Sequence, residues 1–307
     1  MNILFHSNQL GVRGTEVALY DYAHYNETIL GNISYIAAPV NSDMAALQKF
    51  KTRFGDRIIL YNDFSEIVYS SAFVIDAAYF IKAGFSDGIL HPGVKNIVHA
   101  VFSPTDKHGD VYVAVSEWLG KKYNVDYLPH IVSLPDIKED FREFIGASHN
   151  DVVFGRYGGY DQFDVPYLGE VIKAAADKGI KFILMNTKQF NYQHPNIMYS
   201  EANTDVNTKA AFINTCDAMI HGRVEGESFG LSVGEFLHQN KPVLTNIQCR
   251  DRNHIHVLKD KGLYYSNGNE LYAMLTSFVK KDYIVKPLVE KFKPEIVMEK
   301  FKNLING

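Results

Sequence analysis

The 307-residue sequence predicts an α/β protein made of two doubly wound parallel sheets. Three observations predict it. Short apolar runs alternate with amphipathic stretches along the chain, the pattern of βαβ units whose sheet is covered on both faces. The chain is too long for one small core, so two domains are the natural division. A charged stretch without a strand, DIKEDFREFIGASHN (136–150), interrupts the alternation between the two halves.

In chain order, NILFHS reads as a strand, QLGVRG as a glycine turn and TEVALYDYAHYNE as a helix. Further strands are expected at SYIAAP (34–39), RIILY (57–61), SAFVIDAA (71–78), KNIVHAVF (95–102) and VYVAVS (111–116), with a helix over SDMAALQKFKTRF. Ser116 is placed to cap a helix that follows it. After the charged stretch the alternation resumes. VVFGR, KFILMN, NIMYSE, DAMIHG and KPVLTN read as strands. PYLGEVIKAAADKG, NTKAAFINTC, ESFGLSVGEFLHQN, NELYAMLTSFVKK and the closing KPEIVMEKFKNLING read as helices. The expected domains are 1–140, 141–285 and a last helix over 286–307 that packs back on the domains, with the ligand cleft between the carboxyl ends of the two sheets.

Composition narrows the function. Hydrophobic content of 46% with 21% charged residues is that of a folded globular chain, and a net charge of −4 gives no reason to expect nucleic acid as partner. Cys216 and Cys249 form no CxxC motif, so a cytoplasmic, reducing compartment fits better than a disulfide scaffold. No secretory signal and no membrane-spanning run is expected, and peripheral membrane contact is left open. There is no DxD and no HExxH, so no metal site and no cofactor is expected, and no acyl-transfer site is expected either.

The stretch EGESFGLSVGEF (225–236) sets Glu227 and Glu235 around small and apolar residues. Eight positions are slightly over two helical turns, so a helix starting near Glu227 projects both acids from one side. Without further context, an acid favoured by the helix dipole explains Glu227 equally well.

The larger stretch CDAMIHGRVEGESFGLSVGEFLHQNKPVLT resembles the donor-binding signature of retaining GT-B glycosyltransferases of the family 4 type (glycosyltransferase group 1). The matching residues are Glu227, Phe229, Gly230, Leu231 and Glu235, followed by Pro242 and Val243; Ser232 and Gly234 depart mildly from the pattern. The resemblance covers most of the chain and is densest over 152–265. It implies the GT-B architecture, two Rossmann-like domains facing a cleft, with the acceptor on the N-terminal side and the nucleotide sugar on the C-terminal side. It implies that Glu227 contacts sugar hydroxyls and Glu235 the ribose, while the backbone at Ser228–Gly230 meets the diphosphate at a helix start. Gly155 and Arg156 match the Gly-Arg that ends the first strand of the donor domain, and Arg156 is implied to hold the diphosphate bidentately. The lysine that usually follows is missing, leaving Lys188 or Arg223 as replacements. Gly11, Gly14 and Glu16 resemble the N-terminal glycine loop, and His99 matches a histidine that lines the sugar pocket.

The implied activity is metal-independent transfer of a sugar from a UDP- or GDP-sugar to a hydroxyl of a glycan, lipid or small-molecule acceptor, with retention. Catalytic roles fall to Glu227, His99 and Arg156, and binding roles to the other matched residues. A nucleotide-sugar epimerase on the same fold, or a non-catalytic nucleotide-sugar binder, are the rival readings.

Overall fold

The computed structural model describes residues 1–11, 14–68 and 74–307. The chain divides into two compact units, Met1–Ile131 with Lys291–Gly307, and Val132–Glu290.

The first unit runs β1 (Asn2–Ser7), α1 (Gly14–Thr28), β2 (Ile33–Pro39), α2 (Met44–Phe54), β3 (Ile58–Tyr61), α3 (Ser65–Val68), β4 (Ala77–Lys82), β5 (Lys95–Ala100), β6 (Val111–Ala114), α4 (Glu117–Tyr123) and β7 (Asp126–Tyr127). Its sheet has the order β3-β2-β1-β4-β5-β6-β7 with parallel pairing throughout. Local chemistry starts the helices where capping predicts. Asp43 accepts from the Ala46 amide to open α2, and Ser116 accepts from the Leu119 amide to open α4.

The second unit runs β8 (Val153–Tyr157), α5 (Leu168–Ala176), β9 (Lys181–Met185), β10 (Ile197–Ser200), α6 (Val206–Thr215), β11 (Ala218–His221), β12 (Gly226–Glu227), α7 (Leu231–His238), β13 (Val243–Asn246), β14 (Asp251–Arg252), α8 (Asn253–Leu258), β15 (Leu263–Tyr265) and α9 (Gly268–Thr276). Its main sheet has the order β10-β9-β8-β11-β13-β15, again parallel. One face is closed by Leu168, Ile172 and Ala175 of α5 with Leu271 and Leu275 of α9, packed on Phe154, Phe182 and Leu184. On the other face Tyr157 meets the rings of Phe212 and Phe236.

The last helix, α10 (Pro294–Asn306), belongs to the first unit. Its Phe301 is fully buried, with ring centroids 5.4 Å from Tyr22 and 5.6 Å from Tyr79.

Three sequence expectations are corrected. The strand expected over 71–78 is β4, Ala77–Lys82, and residues 71–73 lie outside the described residues. All six residues of β4 are buried between β1 and β5, and the run ends at a lysine that reads as a boundary in sequence. The helix expected from Glu227 starts at Leu231, because Glu227 pairs instead with Arg252 in the small β12–β14 sheet. The acids therefore share no helical face. Finally, β15 and α8 went unread, being too short to show a periodicity.

Candidate active site

In the second sheet β8 and β11 are neighbours, but β8 connects to β9 on one side and β11 leads to β13 on the other. The carboxyl ends of these two strands are therefore left uncovered by either connection. Such a switch point is where doubly wound sheets take ligands. β8 ends at Arg156 and Tyr157, and β11 at His221, two residues before Arg223.

Arg156 is 4% exposed. Its guanidinium donates to Asn186 O at 3.1 Å, Thr187 Oγ1 at 2.6 Å and Gly159 O at 2.7 Å, and its centre sits 5.4 Å from the Phe163 ring. All these acceptors are neutral. Burial pushes its pKa down to about 10, with Glu227 and Asp164 opposing and Arg223 adding to the shift, so the group stays charged at neutral pH. A buried cation held only by neutral oxygens is positioned to receive an anion.

Glu227 faces this region from β12. Its Oε1 lies 3.1 Å from His221 Nε2 and its Oε2 accepts from Arg223 at 3.3 Å. Burial raises its pKa, but the His221 hydrogen bond and the neighbouring Arg223 guanidinium outweigh that, leaving it below the usual carboxylate range. Arg223 also pairs with Glu225 at 3.1 Å.

Between the acids, Gly230 has φ +86°, and a Cβ there would lie 3.2 Å from Cβ and Cγ of Glu227. Only glycine fits this conformation without strain, and it turns the chain into α7. Gly230, the residue that opens α7, has no side chain with which to cap its first turn. The turn is braced by Asn253, which donates to Phe229 O at 2.7 Å, and Phe229 is itself buried. Ser228 and Leu231 flank it, half-buried.

Other matched residues land elsewhere. Gly155 is a packing residue: a Cβ would lie 2.2 Å from Cys216 Sγ, so its role is to admit α6 to the sheet rather than to touch a ligand. Glu235 is 3% exposed, ion-paired with Lys209 at 2.6 Å and hydrogen-bonded by the Tyr157 hydroxyl. Both its oxygens thus serve the junction of α6, α7 and β8. Lys188 is exposed, and its backbone N–H donates to Tyr160 O.

In the first unit, Gly11 and Gly14 face open space, with nothing within 4 Å of a Cβ at either, while Val12 and Arg13 lie outside the described residues. Glu16 is buried in the first turn of α1. His99, expected to line the sugar pocket, is enclosed in the first unit. It is 0% exposed, bonds Tyr79 through Nδ1 at 2.5 Å and packs edge-on against Tyr22. Burial lowers its pKa to about 3, so it is a neutral core residue.

His221, Thr245, Asn253 and His254 are not among the residues the sequence singled out. Only His221 carried a signal, its place three residues before Val224 in the loop that leads to the acid. A hollow of about 1010 Å³ is lined by Met185, Met198, Tyr199, Ser200 and Phe212 among others. Met185 is two residues from Thr187, which holds Arg156.

No protein-family model matches the chain, and no curated protein does. Solved structures do. HepE of Anabaena in complex with UDP and glucose is similar with a TM-score of 0.71 at 13% identity, over 99% of this chain and 98% of that one. A glycosyltransferase from Rickettsia africae is similar with a TM-score of 0.68 at 13% identity, over 100% and 99%. S. aureus TarM, solved with UDP, has a TM-score of 0.70 at 9% identity, over 100% and 99%. The chain has the GT-B fold. Among the described residues of this GT-B chain no group of three or more His, Cys, Asp or Glu is arranged to hold a metal ion. No helix among them is long and apolar enough to cross a membrane.

Proposed function

We propose that this chain is a metal-independent, retaining glycosyltransferase of the family 4 type. It moves a sugar from a nucleoside-diphosphate sugar to an acceptor hydroxyl. The C-terminal unit is the donor domain and the N-terminal unit the acceptor domain. One observation carries the reading: Arg156 is a buried guanidinium whose hydrogen bonds, among the described residues, go to the neutral oxygens of Asn186, Thr187 and Gly159 at the switch point of the second sheet. A diphosphate offers this guanidinium the direct anionic contact that its neutral hydrogen-bond partners do not, in bidentate geometry. The start of α7, opened by a glycine, adds amide donors to the same anion, which accumulates charge as the leaving group departs. Glu227, ionised and half-buried, accepts sugar hydroxyls. The hollow beyond β9, lined by Met185, Met198, Tyr199 and Phe212, suits an aromatic base. The bound UDP and glucose of HepE, and the UDP of TarM, support this reading. The free Cys216 and Cys249 fit a cytoplasmic setting.

Calorimetry with UDP, GDP and their sugars in the presence of EDTA tests the reading. Binding of at least one, followed by acceptor-dependent transfer with the donor's anomeric configuration seen by NMR, is the expected result. No binding to any of them would overturn it; a need for divalent metal, or an inverted product, would overturn those two parts of it.

A further inference from the structure

We propose that His221 is a positioning residue that holds the Glu227 carboxylate in register for the donor sugar, an inference that rests on the donor-site reading above. Glu227 sits on a two-residue strand, and its side chain keeps 17% exposure, so the backbone alone leaves the carboxylate free to rotate. His221 removes that freedom from the adjoining strand end.

The proton arrangement follows from the contacts. An ionised carboxylate only accepts, so His221 Nε2, 3.1 Å from Oε1, carries the donated hydrogen. In the tautomer with its hydrogen on Nε2, Nδ1 is an acceptor for the Thr245 hydroxyl 2.8 Å away. Thr245 is fully buried and stands directly beside His221 in the β11–β13 register. The Tyr265 hydroxyl fixes the His221 backbone by donating to its carbonyl at 2.7 Å. Thus a chain of donors, Thr245 to His221 to Glu227, ties the acid to the rigid sheet. Arg223 cannot substitute for it, since its guanidinium is shared between Glu225 and Glu227. The His254 ring, 4.8 Å from that of His221, fills the space on which the imidazole rests.

The test compares nucleoside-diphosphate binding with nucleotide-sugar binding in three variants. Glutamine places its amide N–H near the Nε2 position and asparagine near Nδ1. His221→Gln is expected to stay within about threefold of the parent for the nucleotide sugar. His221→Asn should lose on the order of tenfold or more, as expected for a lost hydrogen bond to a charged group. Both should bind the nucleoside diphosphate alone like the parent. Thr245→Val, which frees the tautomer without touching Glu227, is expected to fall between the two and guards against a folding failure at 221. Equal losses for diphosphate and nucleotide sugar, equal behaviour of Gln and Asn, or a silent Asn variant would each overturn the inference while leaving the donor site standing. Failure of the parent protein to bind any nucleotide would instead overturn the reading beneath it.

Discussion

Lys209 and Glu235 form an ion pair 2.6 Å long whose side chains are 8% and 4% exposed. The resemblance in sequence assigns Glu235 to a ribose, yet the fold makes it the anchor between α6 and α7. Removing one partner strands a buried charge. Lys209→Met is therefore expected to destabilise the protein by ~3–5 kcal/mol, and adding Glu235→Gln to recover a large part of that loss. Urea unfolding of the two single variants and the double variant checks this, and strict additivity would contradict it.

Arg156 separates charge from geometry. Arg156→Lys keeps a cation but loses the planar fork that reaches Thr187, Asn186 and Gly159 together. Affinity for a nucleoside diphosphate should drop by at least ~tenfold, or about 1.4 kcal/mol, measured by calorimetry. Unchanged affinity would remove Arg156 from the site.

Gly155 predicts a rescue. Gly155→Ala forces a methyl against Cys216 Sγ and should destabilise by ~1–3 kcal/mol. Cys216→Ala takes away the clashing sulfur, and the next atom, Cys216 Cβ, is a tolerable 3.3 Å off. The double variant should thus be more stable than Gly155→Ala alone in thermal unfolding.

Buried histidines predict acid sensitivity. Burial lowers the pKa of His6, His99 and His254 from 6.5 to about 3, and that of His130 well below 6.5. Below pH 6.5 the unfolded chain takes up protons that the folded chain refuses, so stability falls as pH drops from about 6.5 toward about 3. Each such group contributes up to ~1.4 kcal/mol per pH unit in that window. Glu227, with its depressed pKa, adds loss in the same direction once pH falls below the ordinary carboxylate value of 4.5. Unfolding free energies at pH 8, 6.5, 5.5 and 4.5 should decline accordingly, and His99→Phe should make the slope shallower by one proton.

The two sheets were legible in the sequence because each strand is an apolar run and each long helix an amphipathic one. Those patterns record burial, which is a local property of side chains. β1, β2, β5, β8, β9 and β11 lie within two residues of where the alternation puts them. The capping residues Ser116 and Asp43 act within their own turns and were readable or nearly so.

Function was legible only as far as residue types and spacing go. The sequence by itself determined a two-unit α/β chain, a Gly-Arg strand end and an acid pair bracketing Phe-Gly-Leu. Tertiary structure alone decided that β8 and β11 stand side by side, so that Arg156 and Glu227 converge from positions 71 residues apart. It also decided that His99 and Glu235 turn inward, His99 among the rings of Tyr22 and Tyr79 and Glu235 onto Lys209. The reason is physical. Whether a polar side chain meets a ligand or a buried partner depends on which distant group desolvates it, and no local pattern encodes that neighbour.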